Sequence, residues 1–401
     1  MAANVKTSRK AARYAVPAVV LGVVGATVAL VPAFANAGGP DLPKITAQEL
    51  MEKIAASDVE QLSGTAKITT DLGLPKLAGG LLGGAGVTGG SANPEDKLAQ
   101  LAAGTHTFKV AADGPDRQKL TFLDGKDEYT LVHNGKDVWG YDSKSNEVFH
   151  EKTEEAGAAG HDGKGRKTAE RLPATPKQLA EEALKAAGPT TEVTVGDTAQ
   201  VAGRDAYQLV LKPKQSGSTV GSVQIAVDAK NGVPLRVRLL SSKGGKPVVD
   251  AGFTQVEFAK PAASAFEFKT PKGAKVTEGE GEHGKDAGKE FKALESLPGF
   301  GGLTGGPGGQ GDVKELGEGW ATVARIDTGA GQGLKDLEND KNAPKEAKQF
   351  MNSLGDKVSG RFGEGRVFST RLVNALITDN GKVYVGAVTA DQLVKTANAD
   401  K

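Results

Sequence analysis

The five histidines are the residues of this chain best suited to metal or acid–base chemistry, and their spacing keeps them apart. They are His106, His133, His150, His161 and His283. None belongs to an HExxH pair or another close metal-ligand spacing, and GxSxG, Walker A and Rossmann fingerprints do not occur. The sequence therefore predicts a protein that is not an enzyme and that uses no cofactor and no metal.

One stretch leaves adventitious metal binding open as an alternative. His150 and His161 flank a segment rich in carboxylates, and imidazole and carboxylate groups are both metal ligands. The carboxylates are Glu151, Glu154 and Glu155 between the two histidines and Asp162 just beyond them. A solvated, charged loop from Glu151 to Arg171 is the favoured interpretation, because such runs of charge usually face water.

Cysteine is absent, and this excludes disulfides, zinc-thiolate sites, thiol catalysis and a lipobox acylation site. The 50 Lys and Arg residues nearly balance the 49 Asp and Glu residues, so the net charge is +1. No nucleic-acid partner is expected from this balance.

The N-terminus has the layout of an export signal. Lys6, Arg9, Lys10 and Arg13 precede an apolar run that extends to Val31, and small residues around Ala35 and Ala37 follow it. The apolar run approaches the roughly 20 residues that span a bilayer, so the segment is either a cleaved signal peptide or an uncleaved membrane anchor. The chain is expected to be exported, in the cell-envelope space (a periplasm, for instance) or secreted.

Glycine accounts for 55 of the 401 residues and is concentrated in two patches, Ala78 to Gly90 and Gly273 to Gly319. Such composition buries little apolar surface and is typical of flexible segments. We therefore divide the chain into four parts. These are a signal peptide or membrane anchor (1–37), a main domain (38–276), a Gly-rich charged linker (277–318) and a small C-terminal α+β module (319–401).

Short segments of alternating apolar residues dominate the main domain and are separated by Gly, Pro or Asn-Gly turns. The predicted strands are Gly64 to Asp71, His106 to Ala111, Gln118 to Leu123, Tyr129 to Asn134, Asp137 to Asp142, Glu192 to Val195, Asp205 to Leu211, Ser222 to Asp228, Leu235 to Leu240, Val248 to Glu257 and Phe266 to Phe268. Such a meander with few helices predicts an α+β fold built on a curved antiparallel sheet.

Two helices are predicted in the main domain from their capping boxes, which begin at Thr46 and at Thr175. The second helix ends near Gly188, and it could be either a lid over the sheet or a permanent wall. In the C-terminal module, strands are predicted from Gly319 to Asp327 and within Val367 to Val388, where Asp379-Asn380-Gly381 marks a hairpin. Helices are predicted from Pro344 to Leu354 and from Ala390 to Ala397.

Five segments in order resemble motifs of one superfamily. They are His133-Asn-Gly-Lys-Asp-Val-Trp-Gly-Tyr-Asp142, Val201-Ala-Gly-Arg-Asp-Ala-Tyr-Gln-Leu-Val-Leu-Lys-Pro213, Ile225 to Asp228 with Asn231 to Arg236, Phe253 to Phe258, and Phe266 to Val276. Over roughly Ile45 to Val276 the chain resembles the LolA/LolB lipoprotein-carrier superfamily, whose relatives include the RseB/MucB sigma-factor regulators. It departs from LolA-type carriers at Gly114-Pro115, where they have an Arg-Pro pair that latches the lid, and in the additional C-terminal part.

The resemblance implies an incomplete β-barrel of about eleven strands, closed by helices, whose apolar concave face holds acyl chains or a partner's peptide. Binding of a lipid chain needs a dry groove rather than specific polar contacts. The candidate ligand-binding residues are Phe108, Leu120, Phe122, Leu131, Trp139, Tyr141, Tyr207, Leu209, Leu211, Ile225, Val237, Phe253 and Phe258. Ordinary core packing is the alternative for each, because alternation does not identify the concave face.

Two functions follow as hypotheses. The first is an extracytoplasmic carrier that binds a lipid or the acyl chain of a lipoprotein. The second is an RseB/MucB-like regulator that binds an anti-sigma factor or another membrane partner, such as an ABC transporter. The high Gly and Ala content, with both Lys and Arg in use, suits an actinobacterial host.

Overall fold

A computed structural model describes residues 39–73, 104–152, 188–278, 313–327, 355 and 357–400. The N-terminal apolar run, the first glycine-rich patch, and the helices predicted after Thr175 and from Pro344 lie outside the described residues. So do most of the linker and most of the stretch between His150 and His161.

One helix and thirteen strands form the larger part of the described chain. The helix is α1 (Ala47–Ala55). The strands are β1 (Gln61–Thr70), β2 (Gly104–Asp113), β3 (Arg117–Asp124), β4 (Asp127–Asn134), β5 (Asp137–Asp142), β6 (Glu147–Lys152), β7 (Thr191–Val195), β8 (Ala199–Val201), β9 (Arg204–Pro213), β10 (Val220–Asp228), β11 (Pro234–Ser241), β12 (Val249–Glu257) and β13 (Lys275–Glu278).

These strands make one curved sheet in the order β13-β6-β5-β4-β3-β2-β1-β12-β11-β10-β9-β7, with β8 paired to β9. All pairs are antiparallel except β13 with β6, which is parallel. Within the described residues β13 and β7 are the two edges and do not pair with each other. The predicted incomplete barrel is therefore confirmed, with thirteen described strands rather than about eleven.

Ten of the eleven strands predicted in the main domain are confirmed. The strand predicted from Phe266 to Phe268 is wrong, since a 3₁₀ turn covers Ala263–Phe266 and the chain then runs extended without pairing. Strands β6, β8 and β13 were not predicted. Each is short or polar, so alternation gives little signal for it.

Thr46 is the N-cap of helix α1, as the capping box predicts. The Thr46 side chain accepts a hydrogen bond from the Glu49 amide, and the Glu49 carboxylate accepts one from the Thr46 amide at 2.7 Å. The buried residues of this helix are Leu50 and Met51. The cap fixes where the helix starts and therefore which face it presents to the sheet.

A second, six-stranded sheet follows in the described chain. Its strands are β14 (Val313–Leu316), β15 (Val323–Asp327), β16 (Lys357–Gly360), β17 (Gly363–Ser369), β18 (Asn374–Thr378) and β19 (Lys382–Gly386), and helix α2 (Ala390–Ala399) packs on it. The strand order is β14-β15-β19-β18-β17-β16. The hairpin predicted at Asp379-Asn380-Gly381 is confirmed between β18 and β19, and Gly381 takes the left-handed φ of 80°.

A buried carboxylate ties α2 to the second sheet. Asp400, just after α2, accepts hydrogen bonds from Arg325 Nη1 at 3.1 Å and from the Tyr384 hydroxyl at 2.9 Å. Lys314 Nζ lies 3.3 Å from the same carboxylate. Burial alone would raise the pKa of Asp400, but these three hydrogen bonds outweigh it and hold the pKa below its usual value.

Candidate functional site

One face of the large sheet is apolar across its central strands. Residues directly opposite each other in neighbouring strands point to the same side. By that rule Phe253, Ala66, Phe108, Phe122 and Tyr129 form one row from β12 through β1, β2 and β3 to β4. All five are buried.

A second row continues this face toward β9. Leu209, Ile225, Val237 and Ala251 lie opposite one another in β9, β10, β11 and β12. Ala251 is two residues before Phe253 in β12, so both rows belong to the same face. Together they make an apolar surface that spans eight neighbouring strands, from β4 to β9.

Helix α1 lies over β7 and β9, at one end of this surface. Leu50 and Met51 pack in one cluster with Tyr207, Leu209 and Ile225. The Tyr207 hydroxyl donates a hydrogen bond to the Pro43 carbonyl at 3.0 Å, which fixes the segment that leads into the helix. We call this side of the sheet the helix-covered face and the opposite side the outer face.

Eleven of the thirteen predicted ligand-binding residues belong to the two clusters of the helix-covered face. Phe108, Leu120, Phe122, Leu131, Phe253 and Phe258 lie in one, and Tyr207, Leu209, Leu211, Ile225 and Val237 lie in the other. Nine of these side chains are buried, and Leu120 and Phe258 are partly buried. The structure therefore brings together the larger part of the predicted set.

Trp139 and Tyr141 lie on the outer face instead. Trp139 is opposite Val132 and His150 in the neighbouring strands, and Tyr141 is opposite Thr130. The residue between them, Gly140, is opposite Leu131 of the helix-covered face. Both aromatic side chains thus share one face, as their spacing predicts, but not the face of the other candidates.

Trp139 is the centre of a stack of three rings. The His150 imidazole lies 3.7 Å from the Trp139 ring centroid at an interplanar angle of 12°, and the Phe268 ring lies 5.1 Å away at 18°. Phe268 belongs to the segment 258–274 that connects β12 to β13, which we call the strap. The strap therefore covers Trp139 on the outer face.

His150 is buried in β6 rather than exposed in a solvated loop. Its Nε2 is 2.8 Å from Asp137 Oδ1, and its Nδ1 is 2.8 Å from Glu278 Oε2. Glu278 lies in β13, so this histidine joins β5, β6 and the strand at the edge of the sheet. Sequence reasoning grouped His150 with the charged stretch that follows it. Its actual partners, Asp137 and Glu278, lie in other strands, and no local spacing in the sequence marks them.

A buried ion pair was also missed by sequence reasoning. Arg204 binds Asp228 through Nε, and its Nη2 donates to Asp228 Oδ1 at 3.2 Å. The same carboxylate accepts the amides of Lys230 and Asn231, and the guanidinium carbon of Arg204 lies 4.6 Å from the Phe258 ring centroid. The available signal was the Asp-x-x-Asn-Gly turn, in which an aspartate often caps its own backbone.

The two sheets contact each other through the turn between β17 and β18. Arg371 Nη1 donates to Asp71 Oδ2 at 2.6 Å, and its backbone amide donates to the Leu72 carbonyl at 2.9 Å. Its Nη2 donates to the Lys246 carbonyl. A Cβ on Gly73 would lie 2.6 Å from Arg371 Cγ, so only a glycine allows this approach.

A second contact between the sheets surrounds Trp320. Its indole Nε1 donates to Thr191 Oγ1 at 2.7 Å, and its amide donates to Gln215 Oε1 at 2.9 Å. The Thr219 amide also donates to the Ala387 carbonyl at 2.9 Å. The six-stranded sheet is thus bound to the end of the large sheet by both side-chain and backbone hydrogen bonds.

Among the described residues, no three His, Asp or Glu side chains are grouped so that they could hold a metal ion. Within that same part of the chain, no helix is long and apolar enough to cross a membrane.

Comparison with known proteins gives similarity in structure only. No protein-family model and no curated protein matches the sequence. Among solved structures, the MucA/MucB complex of Pseudomonas aeruginosa matches at 17% identity and a TM-score of 0.36, covering 88% of this chain and 96% of that chain. A LolA superfamily protein from Nitrosomonas europaea matches at 10% identity and a TM-score of 0.22, covering 56% and 99%.

A putative outer membrane lipoprotein-sorting protein domain from Vibrio parahaemolyticus matches at 12% identity and a TM-score of 0.22, covering 54% of this chain and 94% of that chain. Solved structures of the LolA superfamily and of MucB are therefore among those that this chain resembles, as its motifs predicted.

Proposed function

We propose that this chain is an extracytoplasmic, non-enzymatic protein that binds a lipid, or the acyl chain of a lipoprotein, against the helix-covered face. The observation that carries the proposal is the apolar surface from β4 to β9, which one nine-residue helix covers in part. A sheet with one largely apolar face and a short helix laid across it suits an elongated apolar ligand better than a polar substrate.

Binding of an acyl chain to this face is favourable only if α1 and the segment before it move away from part of the sheet. Each CH₂ group transferred from water contributes about 0.8 kcal/mol, so a long chain gains enough to compete with a small buried helix face. The side chains of α1 that would be displaced include Leu50 and Met51. The segment before α1 is held by hydrogen bonds from Tyr207 to Pro43 and from Thr198 to Pro40, which can break without unfolding the sheet.

The first experiment is mass spectrometry of organic extracts from protein purified without detergent. We expect lipid in a molar ratio near one per chain. A diazirine-labelled palmitate should then crosslink to peptides that contain Phe108, Leu131 or Ile225, and unlabelled palmitate should compete with it.

Strand β4 supplies a matched pair of variants for this experiment. Leu131 and Val132 are adjacent and buried, and they point to opposite faces. Leu131→Ala should lower acyl-chain affinity severalfold, whereas Val132→Ala should keep it, although both variants lose stability. A clean, folded protein without lipid, or equal loss of affinity in both variants, would overturn the proposal.

A regulator that binds an anti-sigma factor or another membrane partner is the second candidate. The observation that favours it is the six-stranded sheet, which a lipid site on the large sheet does not need and which is nevertheless tightly bound through Arg371 and Trp320. For a regulator, crosslinking in cells should capture one membrane protein, and capture should depend on residues 313–400. For a carrier, lipid should still co-purify when those residues are altered.

A further inference from the structure

The outer face of the large sheet carries an excess of positive charge beside the strap, whose 3₁₀ turn contacts β3 and β4. Lys67 lies opposite Thr107 and Gly252, and Gly252 lies opposite Arg236. Along the same face of β1, β2, β3, β11 and β12 the basic residues are Lys67, Lys109, Lys119, Arg236 and Arg238, which we call the basic face. The acidic residues there are Asp113, Asp250 and Glu257, and Asp113 pairs with Arg117 of β3 at 2.6 Å. The basic residues still outnumber the acidic ones, in a chain whose net charge is only +1.

The acidic residues neutralise only part of this patch. Asp250 is engaged by Arg236, whose Nε donates to Oδ1 at 2.7 Å. Burial and the neighbouring Arg236 guanidinium lower the pKa of Arg238, and Asp250 offsets this only in part. Lys67 and Lys109 are exposed to solvent. Several positive groups therefore face outward and would gain from an anionic surface.

The groups between the cations are small and polar. Around Lys67 the neighbouring outer-face positions are Thr65, Thr69, Thr107 and Gly252. A Cβ on Gly252 would lie 2.7 Å from Arg236 Cγ, so the Arg236 side chain lies flat across the sheet. Protein interfaces centre on buried aromatic anchors, and these positions offer none. Neighbouring strands are about 4.8 Å apart, so the charges spread over a broad, shallow surface.

We infer that the basic face is a docking surface for an anionic bilayer, on which the lipid headgroups bind Lys67 and Lys109. Basic residues near an anionic membrane each add to attraction, and no shaped pocket is required. This inference goes beyond the proposed lipid-chain site, which lies on the opposite face, and does not depend on it.

The test is co-sedimentation of the full chain with vesicles of phosphatidylcholine alone and with vesicles that contain 30% phosphatidylglycerol, about the anionic fraction at which surface attraction is readily measured. The variant K67E/K109E reverses two exposed charges on the basic face. The control K230E/K243E makes the same change of net charge at exposed lysines in turns. The parent and all variants carry the same N-terminal apolar run, which could bind either type of vesicle. The readout is therefore the difference in binding between the two vesicle types.

We expect the parent and the control to prefer anionic vesicles and K67E/K109E to lose that preference by about tenfold or more, with the preference falling as salt rises. Thermal unfolding verifies that each variant is folded, and K67Q/K109Q replaces K67E/K109E if the latter is not. Equal weakening in both double variants would assign the effect to overall charge and overturn the proposal. Absence of any anionic preference in the parent would also overturn it.

Discussion

The indole ring of Trp139 stacks on the imidazole of His150, with ring centroids 3.7 Å apart and planes 12° from parallel. Phe268 of the strap covers the other side of the indole. His150 in turn reaches Glu278 of β13, so one cluster fixes both the strap and the strand that follows it.

Replacement of Trp139 should therefore release the strap rather than empty a ligand site. We expect Trp139→Ala to lower the free energy of unfolding by about 3 kcal/mol, because a large ring packed on both sides is removed. Hydrogen exchange at residues 275–278 should increase, and acyl-chain binding per folded molecule should be unchanged. Tyr141→Phe is the control, since it removes only a long 3.4 Å hydrogen bond to Asn146. Loss of lipid binding without loss of stability would contradict this role.

The ion pair between Arg204 and Asp228 should make the free energy of unfolding depend on pH in the acidic range. Burial alone would raise the pKa of Asp228, but the hydrogen bonds from Arg204, Asn231 and Lys230 outweigh it and hold the pKa below its usual value. A carboxylate with a lowered folded-state pKa contributes stability above its unfolded value, which is about 3.9, and that contribution is lost as the pH falls through the folded value.

Asp228→Asn should therefore reduce stability at neutral pH by roughly 3 kcal/mol and flatten the decline below about pH 4. Urea unfolding at several pH values measures both effects. Asp205→Asn, at an exposed position of the same hairpin, should change stability by less than about 0.5 kcal/mol. If the stability of Asp228→Asn declined below about pH 4 as steeply as that of the parent, the ion pair would not be the cause of the acid dependence.

Asp400 should be as important to the second sheet as a core residue. Its side chain is fully buried, and Arg325 beside it is only 14% exposed. Asp400→Asn would leave a largely buried guanidinium without its counter-charge, and we expect a loss of roughly 3 kcal/mol. Tyr384→Phe removes one hydrogen bond and should cost about 1 kcal/mol. The measurement is thermal unfolding with hydrogen exchange of α2, and equal small effects would contradict the prediction.

Ala202 adopts a left-handed φ of 52° in the turn between β8 and β9, where Gly203 follows with φ of 74°. A residue with a Cβ is strained there by about 1 kcal/mol, and Asn-Gly is the pair that such two-residue turns prefer. We expect Ala202→Asn to raise the free energy of unfolding by about 0.5 to 1 kcal/mol and Ala202→Val to lower it. Chemical denaturation measures the free energy of unfolding of both variants. If Ala202→Val were the more stable of the two, packing at this position would outweigh the backbone strain.

Arg371 should hold the two sheets together. Its guanidinium has one hydrogen bond to the Asp71 carboxylate and others to backbone carbonyls, and hydrogen bonds of charged groups contribute about 1.5 to 3 kcal/mol each. Arg371→Ala should increase hydrogen exchange at residues 71–73 and separate the unfolding of the two sheets. Arg361→Ala, at an exposed position of the second sheet, is the control. If Arg371→Ala still unfolded in one transition with an unchanged midpoint, the contact around Trp320 would be enough to hold the two sheets together.

Sequence patterns predicted most of the large sheet because each strand there has one apolar face. Alternation in Tyr207, Leu209 and Leu211 identified β9, and Asn134-Gly135 identified the turn between β4 and β5. The side of the sheet was not predictable for Trp139, because β4 carries buried side chains on both faces and neither face of β5 is exposed. Where both faces are covered, the pattern that separates inside from outside is lost.

Contacts between distant segments were the other part that sequence could not provide. His150 binds a glutamate 128 positions away, and Arg371 binds an aspartate 300 positions away. Neither pair has local spacing that marks it. The basic face is likewise invisible along the chain, because its charges come from five strands whose neighbours are set only by the register.

The pairing of β1 with β12 has a consequence for how the molecule is made. Thr254 and Thr65, 189 residues apart, meet at the centre of the large sheet, so its two halves join only after nearly all of that sheet has been synthesised. Folding that depends on such distant contacts is slow, and it leaves apolar strand edges exposed in the meantime. If the chain is exported, as proposed, this delay would keep it unfolded until it reaches the exporter, and it would need protection from aggregation until β12 has been synthesised.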